Sequence, residues 1–486
     1  MTAPANARSS VYRTRRRRDL IIAAAIAVVV IVSAMTVYLA SDIRATSDNT
    51  GPGFAPTTAM AAVPAKLAVA WQQPTDPSVG AAVSAYGTVA TSDQHTVTGR
   101  NAATGAVRWS YARTNKSLCA VGSNDTTAGT IQTPFASTAD DHPVGFLAAY
   151  ATGGMCQELV LLDPETGARR YQRTSPNEAD GSLIFGGPYA AWVGTARLEV
   201  WRWDLLRTIQ YGNQPDPDSP GYEHLGCRFT DAAVTDNQFG TIEHCASKGP
   251  NARIVLNWDD PNSHDSTKWS VYKHVALMDV DTGSTQARIV GITADRVAVL
   301  VSTPTPAIVI YGADGKTVSR TPVQIPASAF GTDSKPTPRV TLDGVQYALT
   351  AGHLIAVGNQ DVKVTVPITT TATTTTAPST DGGGLSGLLS GSAATPTKPT
   401  TEVQDRATPV VNWVLPGAIG LPALVGTDLA VPSKTGLMVV PTAQGTVSRT
   451  VPVARTGSPS RVDVDLVEDR LVELRGDSVV ALKAAS

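Results

Sequence analysis

One short pattern recurs along the chain and limits what it can fold into. TVTGRNAATGAVRWSY (96–111), ELVLLDPETGARRYQR (158–173), HVALMDVDTGSTQARI (274–289), AIVIYGADGKTVSRTP (307–322) and GLMVVPTAQGTVSRTV (436–451) share one layout. An apolar strand runs into a short polar turn ending in Gly or Gly-Lys, and a second strand leads away. Gly at the end of such a turn supplies a positive φ without steric cost, and an Asp or Asn ahead of it bonds its own backbone. Each unit therefore reads as a β-hairpin. Two further short apolar strands precede several of them, as in 80–99, 288–312 and 420–441. Four short antiparallel strands repeating in this way make a propeller blade. Outside one N-terminal apolar run, no stretch has the 3.6-residue period of a helix.

Counting blades gives eight, at about 80–112, 117–173, 181–212, 226–289, 290–324, 340–415, 418–453 and 461–483. The fourth is the least resolved, so seven is the alternative count. The last offers only three strands. KLAVAWQQP (66–74), ahead of the first blade, supplies the missing one and closes the ring, which removes free sheet edges. The fold class is thus all-β, an eight-bladed β-propeller over 66–486 behind a single N-terminal transmembrane helix.

Trp71, the Pro- and Gly-punctuated strands after it and NAATGAVRW (101–109) resemble the repeat of quinoprotein-alcohol-dehydrogenase-like (PQQ-like) propellers. In that repeat a strand, an Asp-Ala-x-Thr-Gly turn and a tryptophan recur in each blade. DPETG (163–167) and DVDTG (279–283) match the turn, and the others follow it loosely. The layout also resembles membrane-anchored propeller proteins of high-GC Gram-positive bacteria, and the β-barrel assembly lipoprotein, a non-enzymatic scaffold of the same fold. The quinoprotein resemblance implies calcium held by an acidic set and a disulfide of adjacent cysteines against the cofactor. This chain has no adjacent cysteine pair and no position that matches the cofactor ligands. No cofactor is expected.

The apolar run is Leu20 to Ala40, 21 residues without a charge, long enough to cross the roughly 30 Å core of a bilayer as a helix. Arg8, Arg13 and Arg15 to Arg18 stand before it against only Asp19, so residues 1–19 carry +5 and the rest of the chain −7. The flanking arginines place 1–19 in the cytoplasm as a basic tail and everything after Ser41 outside, in a single-pass cell-membrane protein. The competing reading is a signal peptide cleaved after Val32-Ser33-Ala34, but the run is long for a signal core and continues past that site. An acidic body without a basic stripe excludes nucleic acid as a partner. Residues 41–65, with Pro52, Gly53, Pro56 and Pro64, read as a flexible stalk.

Cys119, Cys156, Cys227 and Cys245 all follow the apolar run. An even count in an extracytoplasmic domain is most simply two disulfides. Three pairings are possible, and nearest neighbours in sequence, Cys119–Cys156 and Cys227–Cys245, are the expected ones. The metal alternative sets His224 with Cys227 and His244 with Cys245 as a tetrahedral zinc site, with His264 and His274 nearby. Oxidation of the thiols removes two of those ligands, so no metal is expected. The acidic stretches 215–223 and 259–265 lack the oxygen spacing of a calcium loop and read as solvated loops. Trp201 and Trp203 alternate along one strand and are assigned to packing between blades. No Gly-x-Ser-x-Gly, phosphate loop or other catalytic constellation occurs.

Residues 368–405, rich in Thr, Pro, Ser and Gly, bury too little apolar surface to offset ordering entropy and read as a disordered insertion in the sixth blade. The functional expectation is a protein-binding scaffold or accessory factor in cell-envelope assembly, with envelope or membrane proteins as partners. The alternatives are an enzyme acting on envelope polymer and an extracytoplasmic ligand-binding or sensor protein. The sequence names no small-molecule ligand.

Overall fold

The computed structural model describes residues 7–485 except 40, 54–58, 85, 124–144, 214–223, 237, 259–275, 294–295, 313, 327–329, 331–334, 369–399 and 458. Eight antiparallel sheets follow one another along the chain, seven built on four consecutive strands and the last on three, with one extra strand at the edge of the first. The blades span 82–113, 118–174, 182–212, 227–281, 287–322, 339–416, 423–452 and 463–484. First strands of successive blades approach one another, which places them innermost around a central channel. We label the strands of each blade A to D from the channel outwards. The eighth blade holds only three strands of its own. Its D strand is β2 (Leu67–Pro74), paired from Leu67↔Ala484 to Pro74↔Ser478. The ring closes through the N-terminal strand, and the count is eight.

Two faces follow from this order. Blade-to-blade connections and B–C turns form one, here the junction face. A–B and C–D turns form the other, the hairpin face.

The recurring turn is a C–D turn, and its residues show why it recurs. In blade 2, Asp163 Oδ1 accepts from the amides of Glu165 (3.1 Å) and Thr166 (2.8 Å) and from Thr166 Oγ1 (2.9 Å). Asn101 does the same in blade 1 for Ala103, Thr104 and the Thr104 hydroxyl. The closing Gly167 has φ +74°, and a Cβ there would lie 2.5 Å from the ring of Trp109. Trp109 stands on strand D of the preceding blade, is 1% exposed, and donates its indole N–H to Pro164 O at 3.1 Å. Trp71 repeats this on Gly105 and Ala102 O (2.7 Å), and Trp413 on Gly445 and Thr442 O (2.9 Å). Each tryptophan thus bolts one blade to the next by stacking on a glycine and filling an otherwise orphaned carbonyl. Val280 occupies the equivalent place against Gly315. Trp201, fully buried with Leu159 and Leu161 of the neighbouring blade, packs between blades, while Trp203 meets Tyr171 edge-on at 5.9 Å.

Three expectations are corrected. DVDTG (279–283) is not a hairpin turn. Met278–Asp281 is the D strand of blade 4 and Ala287–Thr293 the A strand of blade 5, so the turn joins two blades and blade 5 begins before residue 290. Asp279 does not cap its own turn but pairs with Lys248 and Arg253 at 2.8 and 2.7 Å, and nothing lies within 4 Å of a Cβ at Gly283.

The second correction concerns the insertion. Strand C of blade 6 runs His353–Ile368 and strand D runs Thr400–Pro416, paired as far as Ile368↔Thr400. Ile368 and 400–405 therefore belong to a ladder. β-Branched residues (Val362, Val364, Val366, Thr365, Thr400, Thr401, Val403) suit a strand even where their composition is too polar for a core. The rest of the insertion, 369–399, lies outside the described residues.

The third concerns the stalk. The apolar helix α1 (Ala7–Leu39) also takes in the arginines and is long and apolar enough to cross a membrane. A helical turn, α2 (Asp42–Ala45), follows, and then β1 (Thr46–Asn49) pairs with strand D of blade 1 from Thr46↔Arg113 to Asn49↔Ser110. The chain continues to the hairpin face, where the Gly51 amide donates to Thr166 O (2.9 Å) and the Met60 amide to Glu468 O (3.0 Å). Val63 is buried against blades 7 and 8, and Arg449 donates to its carbonyl. Apart from 54–58, outside the described residues, the segment is a strap bound to the propeller. Backbone pairing with an open edge needs no apolar side chains, and composition does not reveal it.

Candidate functional site

The inner strands enclose a channel of ≈ 910 Å³. Its ionisable lining includes Asp236, Lys335, Arg339, Arg461, Asp463 and Asp465. Most of the pairs in and beneath this lining hold blades together. Asp231, 1% exposed on strand A of blade 4, accepts from the amides of Ile289 and Thr337 and from Thr337 Oγ1, each at 2.8 Å. Arg339 reaches the same carboxylate at 3.3 Å and donates to Ile289 O (2.6 Å) and Ala232 O. One carboxylate and one guanidinium thereby tie blades 4, 5 and 6 around the channel. Arg461 and Asp463 pair at 2.7 Å, and Asp463 also accepts from the Leu421 amide (2.9 Å), linking blades 7 and 8.

Disulfide bonding takes both cysteines out of the candidate metal set. Cys227 is bonded to Cys245, and Cys119 to Cys156, both on the junction face. His244 faces Arg228 across the ladder, and burial followed by Arg228 and Arg288 lowers its pKa. His264, His274, 215–223 and 259–265 lie outside the described residues. Ligand atoms of His224, Cys227 and Glu243 fall within 4.8 Å of one another. The set fits a hydrogen-bonded cluster better than an ion. Cys227 is in a disulfide, and the buried Glu243 already accepts from Tyr211 OH (2.6 Å), Thr241 Oγ1 (2.7 Å) and His224 Nδ1 (2.9 Å). Burial, then the Glu243 charge, pushes the Tyr211 hydroxyl far above its ordinary pKa, so it stays a donor.

Sequence reading missed these buried acids, and they recur. Glu158 pairs with Arg113 and Lys116, Glu199 with Arg207 (3.2 Å), and Glu473 with both Arg455 and Arg475 (2.7 Å each). Burial raises the Glu199 pKa, with Arg207 and Arg173 opposing it. The signal was present: each is one acid inside an apolar strand, as in QELVLL, RLEVW, TIEHC and RLVEL. An acid in such a place is paired or neutral.

No family model matches the chain, and no curated protein does. Among solved structures it is similar to BamB from Moraxella catarrhalis, at 13% identity and TM-score 0.39 over 86% of this chain and 99% of that one. It is also similar to quinohemoprotein alcohol dehydrogenase ADHIIG from Pseudomonas putida HK5, at 12% identity and TM-score 0.43 over 88% of this chain and 78% of that one. The computationally designed Ika8 protein gives 10% identity and TM-score 0.40 over 90% and 99%. At this similarity none of them carries a functional argument. The propeller assignment rests on the eight sheets themselves.

Proposed function

We propose that this chain is a membrane-anchored, extracytoplasmic, non-enzymatic propeller that binds proteins as a scaffold or accessory factor in cell-envelope assembly. The observation that carries the reading is the use made of the charges around the channel. Asp231, Arg339 and Asp463 are engaged in blade-to-blade clamps and Arg461 is paired with Asp463, whereas a catalytic site needs such groups convergent on a substrate. The helix α1, the arginines in its first turns and two disulfides beyond it support an outward-facing domain.

The test is purification of the tagged full chain from cross-linked membranes, followed by mass spectrometry. A reproducible set of envelope proteins, lost on mild unfolding of the propeller, is the expected result. Recovery of the chain alone, or turnover of envelope polymer by the purified protein, refutes the reading.

A further inference from the structure

The strap decides how the propeller sits on the membrane. Asp42 is three residues beyond the end of α1 at Leu39, a reach of at most about 11 Å at 3.8 Å per Cα step. It is already fixed to the propeller. Its carboxylate meets Arg113 Nη2 (3.0 Å), Lys116 Nζ (2.7 Å) and Asn115 Nδ2 (2.7 Å), and Ala45 O accepts from the Thr114 amide (2.9 Å). Arg113 and Lys116 also hold the buried Glu158. Two cations thus face two anions, and the set is neutral only with Asp42 in place. Residues 113–116 end strand D of blade 1 and lead into blade 2, on the junction face. Ile43, 80% exposed, and the exposed Arg44 adjoin this contact, an apolar and a basic side chain suited to the boundary between acyl chains and headgroups.

We propose that the junction face at blades 1 and 2 lies against the lipid headgroups, held there by the Asp42 cluster and β1, and that the hairpin face points away from the bilayer. This rests on the membrane reading above and adds the orientation. Strand D of blade 1, Val107–Arg113, sets the two faces about 20 Å apart at 3.3 Å per residue. The paired arm of blade 6, which runs out to Ile368↔Thr400 past the hairpin face, is then directed on the order of 25 Å further from the membrane. Any protein partner reaching that arm approaches from the side opposite the lipid.

The test uses the full chain in vesicles of phosphatidylcholine and phosphatidylglycerol carrying a headgroup spin-label quencher. The four native cysteines are paired, so a fluorophore can be placed on Gln94→Cys, in the B–C turn of blade 1, or on Ala106→Cys, at the opposite end of that blade. The expected result is several-fold stronger quenching at position 94 than at 106, and loss of that difference when a Gly-Ser linker is inserted after Ser41 with the melting transition unchanged. Equal quenching of the two labels in vesicle-bound protein overturns the orientation alone. A chain that fails to float with the vesicles removes the membrane reading, and the orientation with it.

Discussion

Two turns of nearly the same sequence should respond very differently to the same substitution. Gly167 closes DPETG and Gly283 closes DVDTG, at φ +74° and +66°. Giving either an alanine costs about 1–2 kcal/mol for placing a side chain in the left-handed region. At Gly283 nothing lies within 4 Å of the new Cβ, so the cost stops there. At Gly167 the Cβ meets the Trp109 ring at 2.5 Å, and Trp109 is itself buried against Phe146 with its N–H committed to Pro164 O. Forcing that contact adds about 1–3 kcal/mol of overpacking. Gly167→Ala should therefore lose about 2–5 kcal/mol and Gly283→Ala about 1–2. In a Trp109→Leu background the Gly167 penalty should shrink towards the Gly283 value, a coupling that a double-mutant cycle reads directly. The assay is guanidinium unfolding of the full chain in detergent, followed by far-UV circular dichroism, with the slope checked for each variant. Equal losses at the two glycines, or an additive cycle, would show that the tryptophan does not bolt the blades.

The composition of 370–398 predicts a long loop, which costs only about 2 kcal/mol more closure entropy than a short one, so replacing it by a short Gly-Ser turn should leave the melting temperature nearly unchanged. A fall of many degrees in differential scanning calorimetry refutes this. Non-reducing peptide mapping should recover two linked pairs, and the double variant Cys227→Ser, Cys245→Ser should lose about 2–4 kcal/mol; a stoichiometric zinc in the native protein contradicts it. Burial holds the Glu199 carboxyl above its ordinary range, so the folded state binds that proton more tightly than the unfolded one. The contribution is then present below the unfolded pKa and is lost as pH rises through the folded pKa. Glu199→Gln should accordingly gain on the native chain in thermal melts as pH is raised from the acid range to neutrality, and a deficit that grows with pH refutes it.

The ring was legible because each blade writes its own burial into the chain. Strands such as Arg296–Val301 and Ala307–Tyr311 are apolar at nearly every position, as strands covered on both faces must be, and Gly marks the turns between them. What the turn sequence does not contain is its partner. Asp163 and Asp279 stand at the same place in the two turns, yet one caps its own backbone and the other answers Lys248 and Arg253. The first lies within a blade and meets a tryptophan more than fifty residues earlier, on the preceding blade, the second joins two blades, and no local window holds that information.

The strap was hidden for a different reason, and its role follows from that reason. Thr46–Asn49 binds by backbone to the one edge that strand D of blade 1 leaves open, so its sequence needs no apolar alternation and resembles a linker. Further on, the same segment becomes β2 and closes blade 8. One continuous stretch therefore shields an edge, crosses the hairpin face and completes the ring, with α1 at its far end. Displacing Asp42 to Asn49 would expose the edge at Ser110–Arg113 and leave Arg113 and Lys116 facing Glu158 without Asp42. In this fold the route from Asp42 to the first blade belongs to the propeller's own stability.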